Sequence, residues 1–226
     1  MKSLVERFKE NPEGLKSGEM LEVVFQLSGF GKGDEKTVEP LIKKFGGVRG
    51  VFGASFEQLI ELGRLGEKPA CLIVAIRNLA SGILREKIVG RDAIRCKKDV
   101  LAYLKFSLSA ERVEKFVAIY MNSKNEVLAV ETLHEGAVSR GAVYPRKAIE
   151  RAFLHNARSV VFAHNHPSGD FTPSMEDVRL IRELDGAALA VNLIVHDHII
   201  IGANRHFSAR ENGWIIGAPF QPSAGE

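Results

Sequence analysis

Ser159-Val160-Val161-Phe162-Ala163-His164-Asn165-His166-Pro167-Ser168-Gly169-Asp170-Phe171-Thr172-Pro173-Ser174-Met175-Glu176-Asp177 is the segment that decides how this chain is read. Its first five residues form a short apolar run, the pattern of a buried strand. Extended chain sends residues i and i+2 to one side, so His164 and His166 point at the same spot. Pro167 and Gly169 break the strand into a loop. Thr172 then reads as a helix N-cap with Pro173 at the first helical position. Ser174 and Asp177, three apart, share a face of that helix. Two imidazoles and one carboxylate form a common zinc set when a fourth position is left for water. His164, His166 and Asp177 are therefore the candidate ligands. Glu176 is turned away by about 100° on the helix, and Asp170 reads as a loop acid that fixes the turn.

The segment matches His-x-His-x(7)-Ser-x-x-Asp at every fixed position and so resembles the JAMM motif of the JAB/MPN metallo-hydrolase superfamily. With Asp197-His198-Ile199-Ile200-Ile201-Gly202 further on, the chain resembles the bacterial RadC family in particular, most strongly from about residue 99 onward. The resemblance implies one Zn2+ per chain on His164, His166 and Asp177, with water as the fourth ligand. Such a metal lowers the pKa of its water from about 15.7 towards roughly 7. Ser174 would orient that water or stabilise the oxyanion of the attacked carbonyl. The family takes its general base from an upstream glutamate, which here corresponds to Glu114, at the head of Lys115-Phe116-Val117-Ala118-Ile119-Tyr120-Met121. Glu111, Glu126, Glu131 and Glu135 are its rivals. Peptide or isopeptide hydrolysis is the implied activity, with a protein or peptide as substrate. The family's traditional naming as DNA repair proteins supplies the alternative, a DNA-associated accessory factor or nuclease.

The remaining histidines carry less. His196 and His198 repeat the i, i+2 spacing, but no helix-borne carboxylate follows; His198 is read as a hydrogen-bond donor behind the ligands and His196 as a strand-end residue. His134, His155 and His206 are assigned to a loop, a helix and a turn.

The expected architecture is α/β: a C-terminal α/β sandwich of the JAB/MPN type with a mixed sheet, preceded by a small all-α, helix-hairpin-helix-like domain. The expected boundaries are 1–90 for the helical domain, 91–98 for a linker and 99–226 for the hydrolase domain. In the first part, helices are expected over 19–27, 37–45, 55–62 and 67–84. Leu62-Gly63-Arg64-Leu65-Gly66 looks like the hairpin that grips a DNA phosphate through backbone N–H groups, with Arg64 where the usual Gly-x-Gly spacing has its first glycine; the alternative is a glycine-broken connection between two packed helices. In the second part, a helix over 99–106 precedes a hairpin turning at Asn122-Ser123-Lys124-Asn125. An extended run follows over 136–143, and then a helix from Pro145 to His155 packed by Ala148, Ile149, Ala152 and Phe153. Separate strands are expected near 190–195 and 198–201.

Composition bounds the alternatives. Residues 1–100 hold 18 Lys and Arg against 14 Asp and Glu, and the whole chain carries +3. That is far from a nucleic-acid footprint, although Arg91, Arg95, Lys97 and Lys98 form a basic run within reach of a phosphate backbone. The two cysteines, Cys71 and Cys96, suggest neither a disulfide framework nor a thiolate site, and Cys71 is read as core. The charged N-terminus does not read as a signal peptide. No run approaches the roughly 20 apolar residues of a membrane span. The expected location is the cytoplasm.

Overall fold

The computed structural model describes residues 2–29, 38–136, 144–203 and 205–215. It divides into two compact units, 1–80 and 81–226.

The first unit is helical: α1 (Leu4–Glu10), α2 (Ser17–Leu27), α3 (Val38–Phe45), α4 (Val48–Gly53), α5 (Phe56–Glu61) and the N-terminal part of α6 (Glu67–Glu86). Leu21, Phe25, Leu41, Val51, Leu59 and Ile73 meet in its core. The start of α5 is written in the sequence. The Ser55 hydroxyl accepts the Gln58 N–H while the Gln58 side chain accepts the Ser55 N–H, a reciprocal pair that satisfies two donors of α5. The α5–α6 connection keeps its tight turn despite Arg64, which takes φ 54°, a left-handed conformation that usually disfavours any side chain but glycine. Leu65 N–H to Leu59 O at 3.1 Å and Gly63 N–H to Gln58 O at 3.0 Å close it. Cys71 lies on the exposed side of α6 rather than in the core. An apolar helix of 20 residues still has an outer face.

The second unit is built on a five-stranded sheet in the order β2-β1-β3-β4-β5. Its strands are β1 (Lys115–Met121), β2 (Val127–Glu135), β3 (Ser159–Asn165), β4 (Ile194–Ile201) and β5 (His206–Ser208). Its helices are α7 (Lys97–Leu108), α8 (Pro145–Leu154) and α9 (Met175–Ala190). β3 and β4 run parallel and the other pairs antiparallel, so the sheet is mixed. The parallel pair requires a crossover, which α9 supplies.

Residues of β3 alternate between the two faces. Val161 and Ala163 join Leu104 and Leu108 of α7, whereas Val160 and Phe162 join Ala148 of α8 and Leu180 and Leu184 of α9. Every residue of β3 is buried, which is why its sequence is a continuous apolar run and not an alternating one.

Several local expectations are corrected. Residues 88–93 are held to the start of β2 by Gly90 N–H to Val127 O, Val127 N–H to Arg91 O and Ala93 N–H to Asn125 O. Ile88 and Ala93 lie in the same core as α7, so this stretch packs with the second unit. The strands expected near 190–195 and 198–201 are one strand, β4, and α9 continues to Ala190. The register of β4 slips between Val195 and Asp197, which leaves His196 at the irregularity. In α8, Ala148 and Ala152 are buried, but Phe153 is 62% exposed. His134 and His206 lie in strands, and His155 caps the C-terminus of α8. The run expected over 136–143 falls almost wholly outside the described residues.

Candidate metal centre

His164 lies next to the end of β3 on the face that carries Phe162, and Phe116 of β1 stacks against its ring at 6.0 Å and 16°. His166 follows as the chain leaves the strand, its N–H donating to Ile201 O at 3.0 Å. Asp177 arrives from α9. Its helix starts two residues later than the Thr172-Pro173 pair predicts. Ser174 is the N-cap, its hydroxyl accepting the Asp177 N–H at 3.1 Å, and the Asp177 carboxylate accepts the Ser174 N–H at 2.7 Å. Ser174 and Asp177 are thus cap and third helical residue, bonded to each other in a capping box. Thr172 instead donates its N–H to the Asp170 carboxylate at 2.9 Å, as expected of an acid that fixes a turn.

The side chains converge tightly. His164 Nε2 lies 3.1 Å from His166 Nε2 and 3.0 Å from Asp177 Oδ1, and His166 Nε2 lies 3.2 Å from Asp177 Oδ2. Glu114, immediately before β1, places Oε1 at 3.9 Å from His164 Nε2. One donor atom from each of the four lies within 4.8 Å of the others. None of Glu114's sequence rivals is in this cluster. Glu111 and Glu135 pair with Lys115, Glu131 with Arg151 and His155, and Glu126 accepts from Asn122. Glu176 is exposed.

Chemistry of the donor set fits one cation. A carbonyl only accepts, so the 2.8 Å contact of His166 Nδ1 with Asp170 O puts a ring proton on Nδ1 and leaves Nε2 as the nitrogen that faces the cluster. Two carboxylates opposite two imidazoles in a largely buried pocket match the charge and donor type of a divalent ion. Burial alone would raise the Asp177 pKa, but hydrogen bonds from His164 and then His166 outweigh it and hold the carboxyl well below its usual range. The same Asp177 bond raises His166 against the opposing effect of burial. Burial and the neighbouring His164 push His198 well below the usual imidazole range, so this ring is neutral.

Two supports escaped the sequence. Asn165, between the two candidate histidines and on the opposite side of the strand, accepts the Lys115 N–H at 2.8 Å and donates to Glu111 O and Val113 O at 3.3 and 3.1 Å. It therefore clamps the segment that carries Glu114. Its signal was a polar residue in a buried strand, but its partners lie some fifty positions away.

The second support is Gly202. A Cβ there would sit 2.5 Å from Gly169 O and 3.1 Å from Phe171 N, because the metal loop lies directly on this backbone. Gly202→Ala is expected to displace residues 169–171, and with them the Asp170 carbonyl that orients His166. Metal affinity should fall roughly tenfold, measured by chelator competition against the parent.

The basic run offers less charge than its sequence suggests. Arg91 lies 3.7 Å from Asp99, Arg95 lies 3.4 Å from Asp92, and Lys97 pairs with Glu211.

A mixed sheet sandwiched by helices, with a His-x-His strand end, a helix-start aspartate and a glutamate gathered where one metal ion could be held, defines a JAB-type domain. Residues 94–214 match the family model described as a RadC-like JAB domain. A UPF0758 protein of Nitrosospira multiformis is 34% identical over 207 residues, covering 92% of each chain. One from Pseudomonas entomophila is 35% identical over 208 residues (90% of each). One from Vibrio parahaemolyticus is 30% identical over 207 residues (92% of each). The chain belongs to the RadC-like JAB domain family.

Proposed function

We propose that this protein is a zinc-dependent hydrolase of peptide or isopeptide bonds, acting on a protein or peptide substrate in the cytoplasm. The observation that carries the reading is the triangle of side chains His164, His166 and Asp177, in pairwise contact at 3.0–3.2 Å with each imidazole facing a different Asp177 oxygen, while the Glu114 carboxylate stands further off at 3.9 Å from His164. Ligands at about 2.0–2.1 Å from a tetrahedral zinc are separated by roughly 3.3 Å, and each of these pairwise spacings is close to that value. When bound, zinc supplies a Lewis acid that acidifies water and polarises a carbonyl oxygen.

The chain's own residues supply the rest. Glu114, beside the triangle and not part of it, accepts the proton of the attacking water and delivers it to the leaving amine. Its position is held through Asn165 and through Gly136 N–H to Glu114 O at 2.9 Å. Ser174 donates its hydroxyl proton to Asp177 Oδ2 at 2.7 Å. In this state it holds the ligand carboxylate, and rotation of that one O–H would free it to serve a substrate oxyanion.

The test is a peptide and isopeptide cleavage assay on the full chain, run with zinc, after chelation and after zinc is returned. The expected result is cleavage that chelation abolishes and zinc restores. Cleavage indifferent to chelation would count against the reading.

A further inference from the structure

The geometry points to His198 as a positioning residue that fixes the tautomer of His164. This rests on the reading of His164, His166 and Asp177 as metal ligands. His164 directs Nε2 at the donor atoms of His166 and Asp177. As a ligand it must leave that nitrogen unprotonated and carry its proton on Nδ1. Nδ1 lies 2.9 Å from Nε2 of His198. His198 therefore accepts this hydrogen bond, the reverse of the donor role expected from sequence, and its own proton resides on Nδ1.

The His198 ring is locked for that task. It is 1% exposed, stands edge-on to His164 at 5.1 Å and 83°, and is flanked by Phe116 at 5.4 Å and Phe162 at 6.3 Å. Its Nδ1 has no hydrogen-bond partner among the described residues. A buried N–H without an acceptor is destabilising, so packing alone does not favour the proton there. In the opposite assignment His198 donates from Nε2 to His164 Nδ1, and His164 donates from Nε2 to Asp177 Oδ1 at 3.0 Å. That arrangement leaves no N–H alone, but it blocks the metal-facing nitrogen. Each ring carries one N–H in either assignment, and only the direction of the bond between them differs. A cation at the cluster and the acceptor behind it together select the form in which His164 can ligate.

The test uses the full chain labelled with 15N-histidine and loaded with zinc. Nitrogen chemical shifts should show His164 protonated at Nδ1 and His198 unprotonated at Nε2; a proton on His198 Nε2 with zinc bound would overturn the inference. Chelator competition provides the second arm. His198→Phe keeps the ring volume without the acceptor and should weaken zinc binding roughly 10–100-fold. His198→Gln offers a carbonyl oxygen at similar reach and should recover most of that loss. Wild-type affinity in His198→Phe, or equal weakening in both variants, contradicts the assignment. If the parent protein binds no zinc, the ligand reading itself fails, a result distinct from either of these.

Discussion

Glu114→Gln should lower kcat by about 10²–10⁴-fold, the usual contribution of a positioned general base, while zinc stays bound at one ion per chain. Glutamine matches the shape of glutamate but accepts no proton at neutral pH. The backbone bond from Gly136 to residue 114 and the Asn165 clamp do not involve the side chain and should survive. The 3.9 Å separation from His164 Nε2 is the basis for placing Glu114 outside the ligand set. Parallel measurement of zinc content and single-turnover cleavage separates the two roles. Loss of zinc in this variant would make Glu114 a ligand.

Asp177→Ala should have the broader effect. The carboxylate stands 3.0 Å from His164 and 3.2 Å from His166, and it accepts both the N–H and the hydroxyl of Ser174. Removing it deletes a proposed ligand and opens the capping box of α9 at once. Supporting residues around metal sites are worth 10–100-fold in affinity, so loss of a ligand should cost at least about 100-fold. The broken cap adds roughly 1 kcal/mol of destabilisation. Zinc titration and thermal unfolding of the chelated protein read the two effects separately. Asp177 adjoins both histidines, so its effects should not add to theirs in double variants.

The site was legible where its geometry is local. His164 and His166 follow from the two-residue period of a strand, and Ser174 with Asp177 from the spacing of a helix start. The start of α9 departs from the expectation because Thr172-Pro173 imitates a cap and first helical residue, whereas the Ser174–Asp177 capping box prevails. Two strands were expected where β4 is continuous because His196 and Asp197 interrupt its apolar pattern. Asp197 is nevertheless buried, its carboxylate satisfied by the N–H groups of His198 and Arg210 and by the Ser208 hydroxyl. Sequence periodicity cannot foresee partners that arrive from another strand and loop. The same limit hid Asn165 and the direction of the His198 bond. Phe153 and Cys71 were assigned to the core by hydrophobicity alone, which does not say which face of a helix a neighbour covers. Glu114 comes from family resemblance, and only the fold shows that its rivals lie outside the cluster, against Lys115, Arg151, His155 or Asn122.

The central claim is that three side chains hold one zinc ion, and equilibrium zinc titration of the chelated full-length protein tests it most directly. One high-affinity zinc per chain, lost in His164→Ala, is the predicted result. A folded protein that takes up no zinc, or whose uptake is unchanged by His164→Ala, would contradict it.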